Sequence, residues 1–292
     1  MLNHLTSRHW RTAWVSITLI AVLALFVFYP PLRTAASDFL GIFRVRKFAA
    51  IPINISALEG NPTFADVLET ALSDQVQFTG DPDSSTAVNS VHQASSLAGF
   101  QVRLPAWLPE GYSGPSTMRV QDEVSFRVTV KVDHVRAIQE ALGRTDVPIP
   151  SNLDGARVDA NIPKVFSAWY SSSRGTIELV EAPSPEIQLP PDLNLEELGK
   201  FALRMAGMSE DEASQLAESI DWANTLVIPV PMNYASYQEV SVAGSTGLII
   251  GEAGTDEAEG HWMLVFEKDN IVYGLQGMAT PEQLVAVAES MF

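Results

Sequence analysis

Alternation with a period of two is clearest at residues 124–132 (VSFRVTVKV), where Val124, Phe126, Val128, Val130 and Val132 share one face and Ser125, Arg127, Thr129 and Lys131 the other. The pattern predicts a strand with one face on a core and one in water. Further strands are expected within 43–55 and at 156–160, 164–170, 176–181, 226–230, 238–242, 247–250, 262–268 and 271–275, the last two joined by a turn at Asp269-Asn270. Helical spacing replaces alternation after Asn61-Pro62, where Phe64, Val67, Leu68, Ala71 and Leu72 recur at intervals of three and four. A small helix is expected near 91–97, and another carries Val135, Ile138 and Leu142, with Asp133 as its cap and Gly143 as its stop.

Residues 80–92 (GDPDSSTAVNSVH) have no apolar period and read as a loop, and 183–191 (PSPEIQLPP) hold four prolines in nine positions, the composition of a boundary between halves. A helical hairpin comes next. Leu195, Leu198, Ala202 and Met205 face one side of its first helix, Gly207 ends that helix, and Ser209 with Glu212 has the spacing of a capping box for the second, which carries Ala213, Leu216, Ala217 and Ile220. The chain closes with a helix in which Thr280 is the N-cap, Pro281 the first helical residue and Gln283 the third, followed by Leu284, Val287, Ala288 and Met291.

The most apolar stretch lies near the N-terminus. From Ala13 and Trp14 through Leu19, Leu23, Phe26 and Phe28 to Tyr29 there are seventeen residues without a charge, between Arg11 and Pro30-Pro31. At about 1.5 Å per residue they reach about 25 Å, the short end of what crosses a bilayer core of about 30 Å, and Trp10, Trp14 and Tyr29 suit the interfaces. A cleaved signal peptide is the alternative, with Thr34-Ala35-Ala36 as the small residues at a cut. A retained anchor is preferred because the stretch exceeds a usual signal core of about 7 to 15 residues. Counting Arg8 and Arg11 against Arg33, Arg44, Arg46 and Lys47 favours a cytoplasmic C-terminal part, whereas a short basic tail ahead of the span ordinarily stays inside while the domain after the span is exported. Export is the expectation adopted.

Charge narrows the chemistry. Residues 1–50 hold six Lys or Arg and one Asp, so the remainder carries twelve bases against 34 acids, a balance that repels polyphosphate and sets nucleic acid aside. The hairpin at 192–221, with eight acids and two bases, is no recognition element for DNA. The absence of cysteine removes disulfides, thiolate nucleophiles and Cys-ligated metals. His4, His9, His92, His134 and His261 form no metal-ligand spacing, and Asp81 with Asp83 opens no complete calcium loop. Gly244-Ser245-Thr246-Gly247 is not a nucleophile elbow, and no phosphate-binding glycine motif occurs. The acidic groups Asp122-Glu123, Glu196-Glu197 and Glu252, Asp256, Glu257 and Glu259 read as solvated loops. No catalytic residue, cofactor or metal is expected.

Two segments carry a resemblance. In the C-terminal run Gly244, Gly247, Trp262, Tyr273, Gly277, Pro281, Leu284, Ala288, Glu289 and Ser290 stand in a strand, glycine turn, Trp strand, hairpin and closing helix. Over roughly 55 residues this resembles a bacterial family of unknown function, the one numbered 4367. Upstream, Pro105, Leu108, Pro109, Glu110, Gly111 and Tyr112 form P-x-x-L-P-E-G-Y, similar to the opening of membrane-anchored envelope proteins, themselves distantly similar to periplasmic lipoprotein carriers and to sensor domains that regulate anti-sigma factors. The resemblance implies turns, caps and core aromatics rather than catalytic groups. Related chains often carry a cytoplasmic zinc-binding anti-sigma module, for which the twelve residues ahead of the span have neither length nor cysteine.

The expected fold is thus α+β, one N-terminal transmembrane helix followed by curved antiparallel sheets with packed helices. The expected division is a basic tail at 1–12, the span at 13–32, a first half at 33–185, and a helical hairpin plus 4367-like half at 186–292. The function expected is a non-catalytic binding or sensing protein of the bacterial envelope, held in the cytoplasmic membrane with its folded part outside. Its partners would be the lipid bilayer and an envelope protein or apolar ligand. A membrane-held lipid or lipoprotein carrier and an envelope hydrolase are the alternatives.

Overall fold

The computed structural model describes residues 42–43, 45–53, 66–67, 69–71, 75–231, 235–252 and 260–292. Antiparallel sheet dominates them. The larger sheet has eight strands: β4 (Ser85–Ala87), β5 (Thr117–Gln121), β8 (Val165–Ser171), β9 (Thr176–Pro183), β12 (Ala235–Val242), β13 (Ser245–Glu252), β14 (Gly260–Lys268) and β15 (Ile271–Ala279). Their order is β12-β13-β14-β15-β9-β8-β5-β4. A five-stranded sheet runs β1 (Ile42–Phe43), β10 (Glu186–Gln188), β7 (Arg157–Ile162), β6 (Val124–Thr129) and β3 (Val76–Thr79). A parallel pair joins β2 (Lys47–Ile53) to β11 (Thr225–Pro231).

Period-two burial explains the large sheet. Phe166, Ala168 and Tyr170 on β8, Ile177, Leu179 and Glu181 on β9, and Tyr273, Leu275 and Ala279 on β15 are all buried on one face. That face is covered by α1 (Val91–Ala98) and α5 (Pro281–Glu289), whose Ala94, Ala98, Leu284, Val287 and Ala288 join the same core. On the opposite face Leu248 packs with Phe48 and Ile51 of β2 and with Trp222 in a second core, shared with Phe126, Val158 and Ile187 of the smaller sheet. A third cluster holds α2 (Val132–Ala141) to α3 (Leu195–Met205) through Val135, Leu198 and Phe201, and α4 (Glu210–Ser219) completes the hairpin.

The expected fold class requires correction. An α+β arrangement is present, but sheet dominates it, and among the described residues no helix is long and apolar enough to cross a membrane. The longest helix among them, α3, has eleven residues, about 16 Å of rise, roughly half a bilayer core. The expected span at 13–32, with Ala13, Trp14, Leu19, Leu23, Phe26, Phe28 and Tyr29, lies outside the described residues, as does the Asn61-Pro62 helix start.

Several local expectations also change. The 80–92 loop contains β4, because Ser85–Ala87 pair with β5. The proline-rich 183–191 segment carries the chain from β9 in the larger sheet to β10 in the smaller one. Asp133 sits in the first turn of α2 rather than capping it. Lys131 is the cap residue without a side-chain cap bond, and the donors there are taken by Gln75 Oε1 and Asp154 Oδ1, which accept from Lys131 N and Val132 N at 2.9 and 3.0 Å. The capping boxes at Ser209/Glu212 and Thr280/Gln283 form as their spacing predicts. Asp269 and Asn270 both have positive φ, 56° and 63°, the twist a two-residue hairpin needs.

Candidate functional site

The two motif segments meet. Residues 101–109 run without regular structure across the helix-covered face. Their backbone docks on the end of α5: Ala106 N donates to Ser290 O at 3.3 Å, and Trp107 N to Ser290 Oγ at 3.1 Å. Further along, the Tyr112 hydroxyl donates to Met278 O at 2.6 Å, and Arg174 donates to Glu110 O. Gly111, at φ 89°, supplies the left-handed turn between Pro109 and Tyr112. Pro109 is buried, Pro105 and Leu108 are half-buried, and Glu110 is exposed.

Docking leaves two large aromatics in solvent. Trp107 is 47% exposed and Phe292, two residues beyond Ser290, is 42% exposed. Cations bracket the Phe292 ring, with the Arg103 guanidinium 5.0 Å and the Lys268 ammonium 5.3 Å from its centroid, within the range of cation–π attraction. Lys268 is itself fixed by donating to Ala243 O at 2.7 Å. Phe292 also lies edge-on to Tyr273 at 5.4 Å and to Phe266 at 6.2 Å, which stack on each other at 4.9 Å.

Beneath this roof lies Glu181, fully buried on the apolar face of β9. Both of its carboxyl oxygens accept from Arg103 N at 3.2 Å. Burial pushes its pKa up to about 8, opposed by the Arg103 amide bond and the Arg103 charge. The hydroxyl of Tyr170, buried on neighbouring β8, has no hydrogen-bond partner among the described residues. Burial, then the Glu181 charge, raises the pKa of Tyr170 and carries that of Tyr273 to about 12. No motif points to this carboxyl. Its only signal in the sequence is register, since Ile177, Leu179 and Glu181 alternate onto one face.

The remaining motif residues are structural in their surroundings. Gly244, φ 84°, makes the β12–β13 turn with Ala243. Trp262 lies over Gly251, where an added Cβ would come within 2.2 Å of the ring, and its indole N–H has no partner among the described residues. Pro281 opens α5, and Glu289 is exposed at its end. Asp122 accepts from Ser84 Oγ at 2.6 Å, Glu196 and Glu197 are exposed in the first turn of α3, and residues 253–259 lie outside the described residues. His92 is exposed, His134 Nδ1 accepts from Gln75 Nε2 at 3.0 Å, and among the described residues no three His, Asp or Glu gather at metal-binding range. A groove of about 330 Å³ is lined by Asn152, Asp154, Arg157 and Asp192 together with Gly155, Ala156 and Pro190.

No protein-family model and no curated protein matches the chain.

Proposed function

We propose that this chain is a non-catalytic binding or sensing protein of the bacterial envelope, and that it engages a protein partner through the face presenting Trp107 and Phe292. What supports the reading is the construction of that face. Two segments far apart in sequence are pinned together by hydrogen bonds at Ser290, and between them they expose two large aromatics, Trp107 and Phe292, the second flanked by Arg103 and Lys268. Aromatic residues and arginine dominate the energetics of protein interfaces because they bury much area with few rotatable bonds, and a rigid backing keeps the ordering cost low. The uncharged stretch from Ala13 to Tyr29 supports tethering to the cytoplasmic membrane, and the short basic tail ahead of it supports a folded part outside.

A photo-crosslinking amino acid at position 107, in whole cells, tests the reading. The control is the same residue at Tyr237, 43% exposed on β12. A discrete adduct from position 107 that is absent from 237 is expected. Identical adducts from both positions, or none from 107, would sink it.

A further inference from the structure

We propose that Glu181 is a proton-gated latch beneath the Trp107–Phe292 face: with its proton the 101–107 segment and Phe292 stay seated, and without it Arg103 leaves the ring and the segment lifts. The regulation concerns the face assigned above, and so rests on that assignment for its purpose, though not for its physics.

The geometry sets the choice. The carboxyl is sealed from water by the segment it holds, because the amide it binds, Arg103 N, belongs to that segment. An ionised carboxylate in an apolar face needs donors or water, since desolvation without compensation is costly. One amide shared by two oxygens at 3.2 Å is little compensation. Two further donors stand nearby. The Tyr170 hydroxyl is buried with no hydrogen-bond partner among the described residues, and the Arg103 guanidinium lies over the Phe292 ring, which stands edge-on to Tyr273. Drawing the guanidinium inward strips Phe292 of one of its two cations, and admitting water requires residues 101–107 to move outward. Either response alters the exposed aromatic face.

Among the described residues, the charged and titratable groups around the latch are few. Arg103 comes from the segment, Tyr170 from β8, Tyr273 from β15, and Asp269 acts on Tyr273 from the hairpin turn. Lys268 reaches the Phe292 ring from the end of β14. The covering helices contribute none that is buried: His92 on α1 and Glu282 and Glu289 on α5 are exposed. Among the described residues of this cluster, Glu181 is the carboxyl whose pKa burial carries up to about 8.

Amide hydrogen exchange on the full chain, without partner and corrected for the intrinsic pH dependence of exchange, tests the latch apart from the binding reading. Between pH 6 and pH 9 the protection of the Arg103, Ala106 and Trp107 amides should fall at least tenfold, while the β9–β15 ladder holds. Glu181→Gln should abolish the fall. Arg103→Met keeps the amide but removes the cation, and it should move the midpoint to higher pH. A flat wild-type profile, an equal fall in Glu181→Gln, loss of protection across the whole sheet, or an unmoved midpoint in Arg103→Met would each overturn the proposal. If Glu181→Gln does not fold, the Arg103→Met midpoint alone decides.

Discussion

Replacing Glu181 by glutamine should change how stability responds to pH more than it changes stability itself. The unfolded chain releases this proton near the ordinary value of 4.5, whereas the folded chain holds it to about 8. Between those values the unfolded state is ionised and the folded state is not, so the folded state binds the extra proton and loses stability as pH rises. The contribution is fully present below pH 4.5, declines through the window, and is spent above the folded midpoint. At about 1.4 kcal/mol per pH unit the window is worth an upper limit of about 5 kcal/mol. No screening discount applies, because the side chain is fully enclosed. Glutamine is close in shape to the protonated acid, accepts the Arg103 amide, and does not ionise. Urea unfolding at pH 5, 6, 7, 8 and 9 provides the assay. The two proteins should be similar at pH 5, and the variant should be about 3 to 5 kcal/mol the more stable at pH 9. Parallel curves across that range would refute the argument that burial governs this carboxyl.

Other perturbations test other parts of the fold. At Gly277, φ 151°, an added Cβ would stand 2.2 Å from Thr176 O, so Gly277→Ala should lose about 3 kcal/mol or fail to fold, read by urea unfolding; a neutral result would contradict the close strand approach. Ser209→Ala removes the capping box of α4 and should cost about 1 kcal/mol in the same assay, with no loss contradicting the cap. Ser290→Ala removes the acceptor of Trp107 N and should speed exchange of that amide several-fold at a stability cost of about 1 kcal/mol; unchanged exchange would show that the docked segment is held otherwise.

Local order is legible in the sequence where its cause is local. Ser209 with Glu212, Thr280 with Pro281 and Gln283, and Asp269-Asn270 each fix their cap or turn within four residues, and the period-two runs at β6, β8, β14 and β15 declare their buried faces. Order that depends on distant partners is not legible there. Asp133 is the natural cap by adjacency, but Asp154 and Gln75 arrive from elsewhere in the chain to bind those amides. β4 and β10 have three residues each amid Ser and Pro, and they exist through pairing with β5 and β7 rather than through their own preference. The site divides the same way. The P-x-x-L-P-E-G-Y and A-E-S motifs can be seen, but not that Ser290 joins them. Glu181 can be placed on the apolar face by counting, while the roof of Arg103 and Phe292 that seals it comes from two other segments.

The reading as an envelope binding protein depends first on which side of the membrane the folded part occupies. Because the chain has no cysteine, Ser151→Cys, at an exposed position between α2 and β7, gives a single thiol for a membrane-impermeant maleimide on intact spheroplasts. Labelling before lysis is the predicted result, and labelling only after lysis would contradict it.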